Sequence, residues 1–136
     1  MDQEINLKYR EVTVPSASVK TIVATDYEIV EAPGAGKTHV ILAAHLTLDY
    51  ATATYVWANT DHTLTVGNAA FDSDAEAQAF IEGTSRKVVD LRVPGGSTPL
   101  TENEAIKLTA GGTGEPGTGD SDVIVRVVYA TIDVTE

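Results

Sequence analysis

Short stretches rich in Val, Ile, Thr and Tyr alternate along this chain with clusters of Gly, Pro, Asn and Asp. β-branched and aromatic side chains suit a pleated, half-buried surface, and the intervening residues are those that turns require, so the pattern reads as strands and turns. Strands are expected over 18–31, with a break at Thr25-Asp26, and over 38–50, 54–58, 63–66, 86–93, 104–110 and 122–134. The run 38–50 holds the longest apolar stretch, His-Val-Ile-Leu-Ala-Ala-His-Leu-Thr-Leu. Its β-branched content, with no helix cap before it, predicts a central strand buried on both faces. In 122–134, Val123, Val125, Val127 and Tyr129 fall on one face and Ile124, Val128, Ala130 and Ile132 on the other, so both faces are expected to be largely covered.

One short helix is predicted near 73–82. Ser73 can cap it, Glu76 stands three residues on as a capping-box partner, and Gly83 can close it, while Phe80 and Ile81 would dock it on the sheets. Residues 1–14 carry Ile5, Leu7, Tyr9, Val12 and Val14 in partial alternation, which predicts an extended N-terminal arm or an edge strand, followed by a single domain over 15–136. Many short strands with little helix predict an all-β, two-sheet β-sandwich of jelly-roll or immunoglobulin-like type.

With 136 residues the chain fits one domain, and a domain of that size hides about two thirds of its unfolded surface. It has no cysteine, so disulfides, thiolate metal sites and a Cys nucleophile are excluded. The N-terminus Met-Asp-Gln-Glu-Ile-Asn lacks the basic start and apolar stretch of a secretory signal, and no apolar run reaches the ~18 residues of a membrane span, so a soluble chain is expected. Twenty acidic against nine basic residues give a formal charge of −11. That charge repels phosphate backbones and anionic lipid, so neither nucleic acid nor membrane is an expected partner. On its own it reads as solubility, although an acidic surface could meet a basic one on another protein.

Gly34-Ala35-Gly36-Lys37-Thr38 has the ending of a phosphate-binding P-loop, but the required first glycine would fall at Glu31 and a strand follows where the phosphate needs a helix N-terminus. A strand-connecting turn is expected there. His39, His45 and His62 are few and dispersed; His39 and His45 share a face if their strand is regular, yet lie about 20 Å apart, too far to ligate one ion. Gly119-Asp120-Ser121-Asp122 sets two carboxylates beside a Gly-rich loop, 111–119, expected to be exposed and mobile. They could bind calcium with further oxygen donors, but the rest of a calcium loop is absent, and a turn in which Asp120 and Asp122 bond backbone N–H groups is the expectation. No Gly-x-Ser-x-Gly nucleophile elbow is present, and scattered acids do not define a catalytic pair. Tyr55 and Trp57 could offer a sugar-stacking platform, but their alternation predicts a shared strand face in the core or a subunit interface. No catalytic, cofactor-binding or metal residue is assigned, and no enzyme is expected.

The chain resembles small tailed-phage virion structural proteins of the capsid decoration (cement) type. The resemblance is carried by Thr21-Ile22-Val23-Ala24, Glu31-Ala32-Pro33-Gly34-Ala35-Gly36-Lys37, and Leu48-Asp49-Tyr50 followed by Ala51-Thr52-Ala53-Thr54-Tyr55. It continues in Asn103-Glu104-Ala105-Ile106-Lys107-Leu108, Thr118-Gly119-Asp120-Ser121 and the closing strand from Val123 to Tyr129, about half the chain in all. It is one of texture and order, without a catalytic signature. It implies a β-sandwich at the capsid surface that bridges major capsid protein subunits as a homotrimer. A tail-fibre or receptor-binding head domain is the alternative it leaves open.

Overall fold

In the computed structural model, which describes residues 6–58, 63–67, 71–72, 77–91 and 101–134, eight strands pair as a nested set. They are β1 (Lys8–Val14), β2 (Tyr27–Val30), β3 (Lys37–Asp49), β4 (Thr63–Val66), β5 (Phe71–Asp72), β6 (Lys87–Asp90), β7 (Ile106–Gly111) and β8 (Asp122–Asp133). The first strand pairs with the last, β2 with β7, β3 with β6 and β4 with β5, all antiparallel. Added pairings of β3 with β8 and β4 with β7 complete two four-stranded sheets, β1-β8-β3-β6 and β2-β7-β4-β5. A long hairpin folded over on itself produces this order, which is that of a jelly roll. The all-β two-sheet sandwich expected from sequence is therefore the fold, and the eight nested strands select the jelly roll over the immunoglobulin-like alternative.

The core lies between the sheets. Leu46, Leu48, Val123, Val125 and Val127 from the first sheet face Ile29, Leu64, Val66, Ile106 and Leu108 from the second, with Tyr55 and Trp57 closing one end. Covering such side chains contributes about 1.5–3 kcal/mol each.

Several local expectations need correction. The stretch 18–31 is not strand throughout: α1 (Ser16–Val19) and a turn occupy its first part, and only Tyr27–Val30 is extended. Ser18 and Val19 both donate to the Pro15 carbonyl, at 2.9 and 3.1 Å, and the two buried residues Val19 and Ile22 are three apart, a helical rather than alternating spacing. Thr25 and Asp26 therefore separate a turn from β2 and break no strand. Strand β3 is central, but it is covered on both faces only around Leu46, Thr47 and Leu48. Among the described residues β6 pairs only with His45–Leu48, and an extra residue between Ile41 and Ala43 leaves Leu42 exposed.

Residues 54–58 form no strand and make one isolated bridge, Val56 to Gly117; the connection 59–62 lies outside the described residues. The expected helix near 73–82 is α2 (Ala77–Ile81), which buries Ala77, Phe80 and Ile81. Gly83 follows it, donating to the Phe80 carbonyl, whereas Ser73 and Glu76 lie outside the described residues. Within 1–14, residues 8–14 are β1, an edge strand in full register with β8.

Candidate functional site

Asp120 and Asp122 sit where β8 begins, beside the segment that leaves β3. One Asp120 carboxylate oxygen accepts the N–H groups of Thr52 and Ala53 at 3.0 and 2.8 Å, and the other accepts the Thr52 hydroxyl. The Thr52 hydroxyl and then the Ala53 and Thr52 amides hold the Asp120 carboxyl down at about 2, because hydrogen bonds to the charged form favour it. Asp122 accepts the Ser16 N–H at 3.0 Å, where α1 begins. Ser121 between them accepts the Ala51 N–H at 3.0 Å on its hydroxyl and the Tyr55 hydroxyl on its carbonyl. Burial first, and the charges of Asp122 and Asp120 second, push the Tyr55 hydroxyl well above its ordinary range. These oxygens tie loops to the sandwich, and among the described residues no group of three or more acidic or His side chains converges as a metal centre would require.

The Gly-rich loop is more tightly held than its composition predicts. Glu115 accepts the Val23 and Ala24 N–H groups, at 2.7 and 2.8 Å. Trp57 donates its indole N–H to the Gly114 carbonyl at 2.8 Å, and Val56 and Gly117 exchange two bonds of 2.9 Å. Pro116 and Gly119 are buried, and a Cβ on Gly119 would overlap the Tyr55 ring. Tyr55 and Trp57, at 1% and 0% exposure, are core residues rather than a sugar platform. Trp57 is further fixed through its N–H to Glu82 and its carbonyl to the Gln78 amide, both at 2.7 Å.

At the opposite end, Gly34 and Gly36 form the expected turn with φ of 105° and 80°, angles that favour glycine. The amides that a phosphate would need are already taken: Gly34 donates to the Asn103 side chain at 2.9 Å and Gly36 to the Glu102 carboxylate. His39 and His45 lie on opposite faces, because the irregularity between Ile41 and Ala43 shifts the alternation by one. His39 bonds the Glu31 carbonyl at 2.8 Å and the Thr131 hydroxyl at 2.9 Å, and packs edge-on to Tyr129. His45 Nδ1 is buried without a partner among the described residues. His62 lies outside them. An open cleft of about 330 Å³ separates β1 from β2, lined by Arg10, Glu28, Ile29, Val30, Glu31 and Tyr129; it brings together charges of both signs but no nucleophile with a base.

The surface features sequence reasoning did not single out belong to the outer face of the β1-β8-β3-β6 sheet. Register places Tyr9, Val128 and Ala43 in one row across three strands, and Glu11, Arg126, His45 and Asp90 in the next row across all four. Arg126 bridges within that row, 3.1 Å from Glu11, and donates to Thr47 at 2.7 Å. Tyr9 and Leu42 are 58% and 52% exposed. Tyr9 entered the sequence reading only as a residue of the arm or edge strand, and no local pattern shows that β8 aligns Tyr9 with Ala43.

No family model matches the chain, and no curated protein matches it. Among solved structures it is similar to a chain of the one described as "Cyanophage Pam1 capsid asymmetric unit", at 19% identity and a TM-score of 0.48, over 93% of this chain and 84% of that one. A likeness at that level fixes neither family nor role.

Proposed function

We propose that this chain is a structural virion protein without enzymatic activity, specifically a decoration (cement) protein that sits on a phage capsid surface as a homotrimer and bridges major capsid protein subunits. The observation that carries this reading is the nested pairing of eight strands into a jelly roll, an architecture that recurs in viral capsid and lectin domains. A protein that binds two neighbouring shell subunits stabilises the shell, because its binding free energy is lost when they separate. No chemistry is required of it, and the carboxylates of Glu102, Glu115, Asp120 and Asp122 and the His39 ring are engaged in holding loops and strands. The formal charge of −11 disfavours a role on nucleic acid or anionic lipid.

A fold does not fix a role, so the particle has to decide. Cryo-electron microscopy of particles from the same source is expected to show density for this domain at positions bridging capsid subunits. Density confined to the tail would move the reading to a fibre or receptor-binding head domain, and absence from the particle would end it.

A further inference from the structure

The β1-β8-β3-β6 sheet sorts its charges by face, and composition alone does not produce that sorting. Its strands carry five cations, Lys8, Arg10, Lys37, Lys87 and Arg126, and five anions, Glu11, Asp49, Asp90, Asp122 and Asp133. Register with the core-facing positions of β8 and β3 turns Lys8, Arg10, Lys37, Lys87 and Asp133 inward. The outer face is left with Glu11, Asp49, Asp90 and Asp122 against Arg126 alone. We infer that this face docks a different protein through a basic surface with apolar residues at its centre. The inference rests on the capsid role proposed above for the identity of that protein, the major capsid protein, and adds the face used and the chemistry of the contact.

Exposed apolar side chains supply the contact area. Tyr9 on β1 and Val88 on β6, the latter 59% exposed, point outward by register, and Leu42 stands exposed beside outward-facing Ala43. Single exposed hydrophobics are ordinary, whereas several on neighbouring strands of one sheet mark an interaction face. The acids lie around and between them. Asp90, on the β6 edge, is exposed and makes no ion pair among the described residues. Glu11 and Asp49 hold Arg126 and Arg86 at 3.1 and 3.0 Å, yet both carboxylate side chains stay nearly half exposed and can accept further donors.

Charge selects the occupant. A second copy would set the same carboxylates against themselves, and like charges opposed across an interface disfavour it. Phosphate backbones and anionic lipid are repelled in the same way. Lys and Arg side chains on a partner protein are the complement of such a face. The edges of this sheet offer no other route, because Lys8 and Arg10 on β1 and Lys87 on β6 face inward, and inward charges on edge strands oppose strand addition. Contact is therefore by the face, and the homotrimer forms through another surface.

Rebinding of the purified chain to capsids that lack it, measured by co-sedimentation over a range of salt, tests the inference. Wild type is expected to bind and to lose affinity as salt rises, because exposed charge pairs are screened. Asp90→Lys is expected to weaken binding at least about tenfold at low salt and less at high salt. Tyr9→Ala and Leu42→Ala, made separately, are expected to weaken it at least about tenfold at every salt concentration. Circular dichroism and urea midpoints of these variants should match wild type. Val56→Glu, at a site 57% exposed and away from this sheet, is expected to bind like wild type. Failure of wild type to bind capsids overturns the capsid role and with it the partner named here. Wild-type binding that survives all three sheet variants, or is lost equally in Val56→Glu, overturns the face and leaves the capsid role standing. Binding that Tyr9→Ala and Leu42→Ala weaken but that is indifferent to salt and to Asp90→Lys overturns the basic chemistry of the partner.

Discussion

The two ends of the sandwich are closed by similar chemistry but different packing. At the end where β3 finishes and β8 starts, Glu115, Asp120 and Asp122 bind backbone N–H groups, and two fully buried aromatics, Tyr55 and Trp57, are interleaved with the Gly-rich segment. At the other end, where β3 starts, Glu102 and Asn103 bind the amides of the Gly34 and Gly36 turn, and the Thr38 hydroxyl bonds the Thr101 carbonyl at 2.8 Å. No large aromatic is buried in that turn. Part of the acidity that reads as solubility is thus structural, since these carboxylates replace backbone partners that loops lack. Among the described residues only the first end adds the dispersion and area of large aromatic side chains, so it should tolerate substitution less.

The largest effect is expected from Trp57→Ala. Removing a fully buried indole costs about 3–5 kcal/mol, and the Gly114 carbonyl loses its donor. Urea denaturation should show a fall of that size; a loss below about 1 kcal/mol would mean that the aromatic anchor does not distinguish the two ends. Next comes Glu115→Ala, which strips the Val23 and Ala24 amides of their acceptor; each unsatisfied group costs about 1–3 kcal/mol, less where water can replace the carboxylate. Glu115→Gln, whose amide keeps one acceptor oxygen, should fall between Ala and wild type. At the other end Gly36→Ala forces a Cβ onto φ of 80°, a cost of about 1–2 kcal/mol. If Gly36→Ala proves as damaging as Trp57→Ala, the contrast between the ends is wrong.

Strand existence was legible where burial on one face leaves a period of two, as in β4, where Leu64 and Val66 are buried and Thr63 and Thr65 only half-buried. The irregularity in β3 was not, because Ile41-Leu42-Ala43-Ala44 is apolar at every position and an extra residue leaves no trace in the alternation. It was that residue which separated His39 from His45. The helical turn at Ser16–Val19 did carry a signal, a proline followed by small polar residues and then apolar residues three apart, but strand propensity in Thr21-Ile22-Val23 outweighed it. The clasp of the Gly-rich segment was invisible for another reason: Glu115 and its partners Val23 and Ala24 are about ninety residues apart in sequence, and only the folded sheets bring them together. Composition described the segment's freedom in isolation, and tertiary contacts removed it.

The smallest effect separates the charge of the Asp120 clamp from its shape. In the folded protein this carboxyl titrates at about 2, against 3.8 ordinarily. A group depressed on folding stabilises the native state fully above its unfolded value, and that contribution disappears as pH falls from 3.8 towards about 2. Asp120→Asn keeps an acceptor for the Thr52 and Ala53 amides but has no charge to lose. Urea midpoints measured for both proteins from neutral pH downward should therefore differ by a constant amount above pH 4–5, with wild type the more stable, and converge as acid titrates the clamp. The exposed Arg86–Asp49 pair at the same end of β3 is common to both proteins and drops out of the comparison. A difference that stays the same at every pH would mean that Asp120 acts there through its shape alone, as Asn103 does at the opposite end.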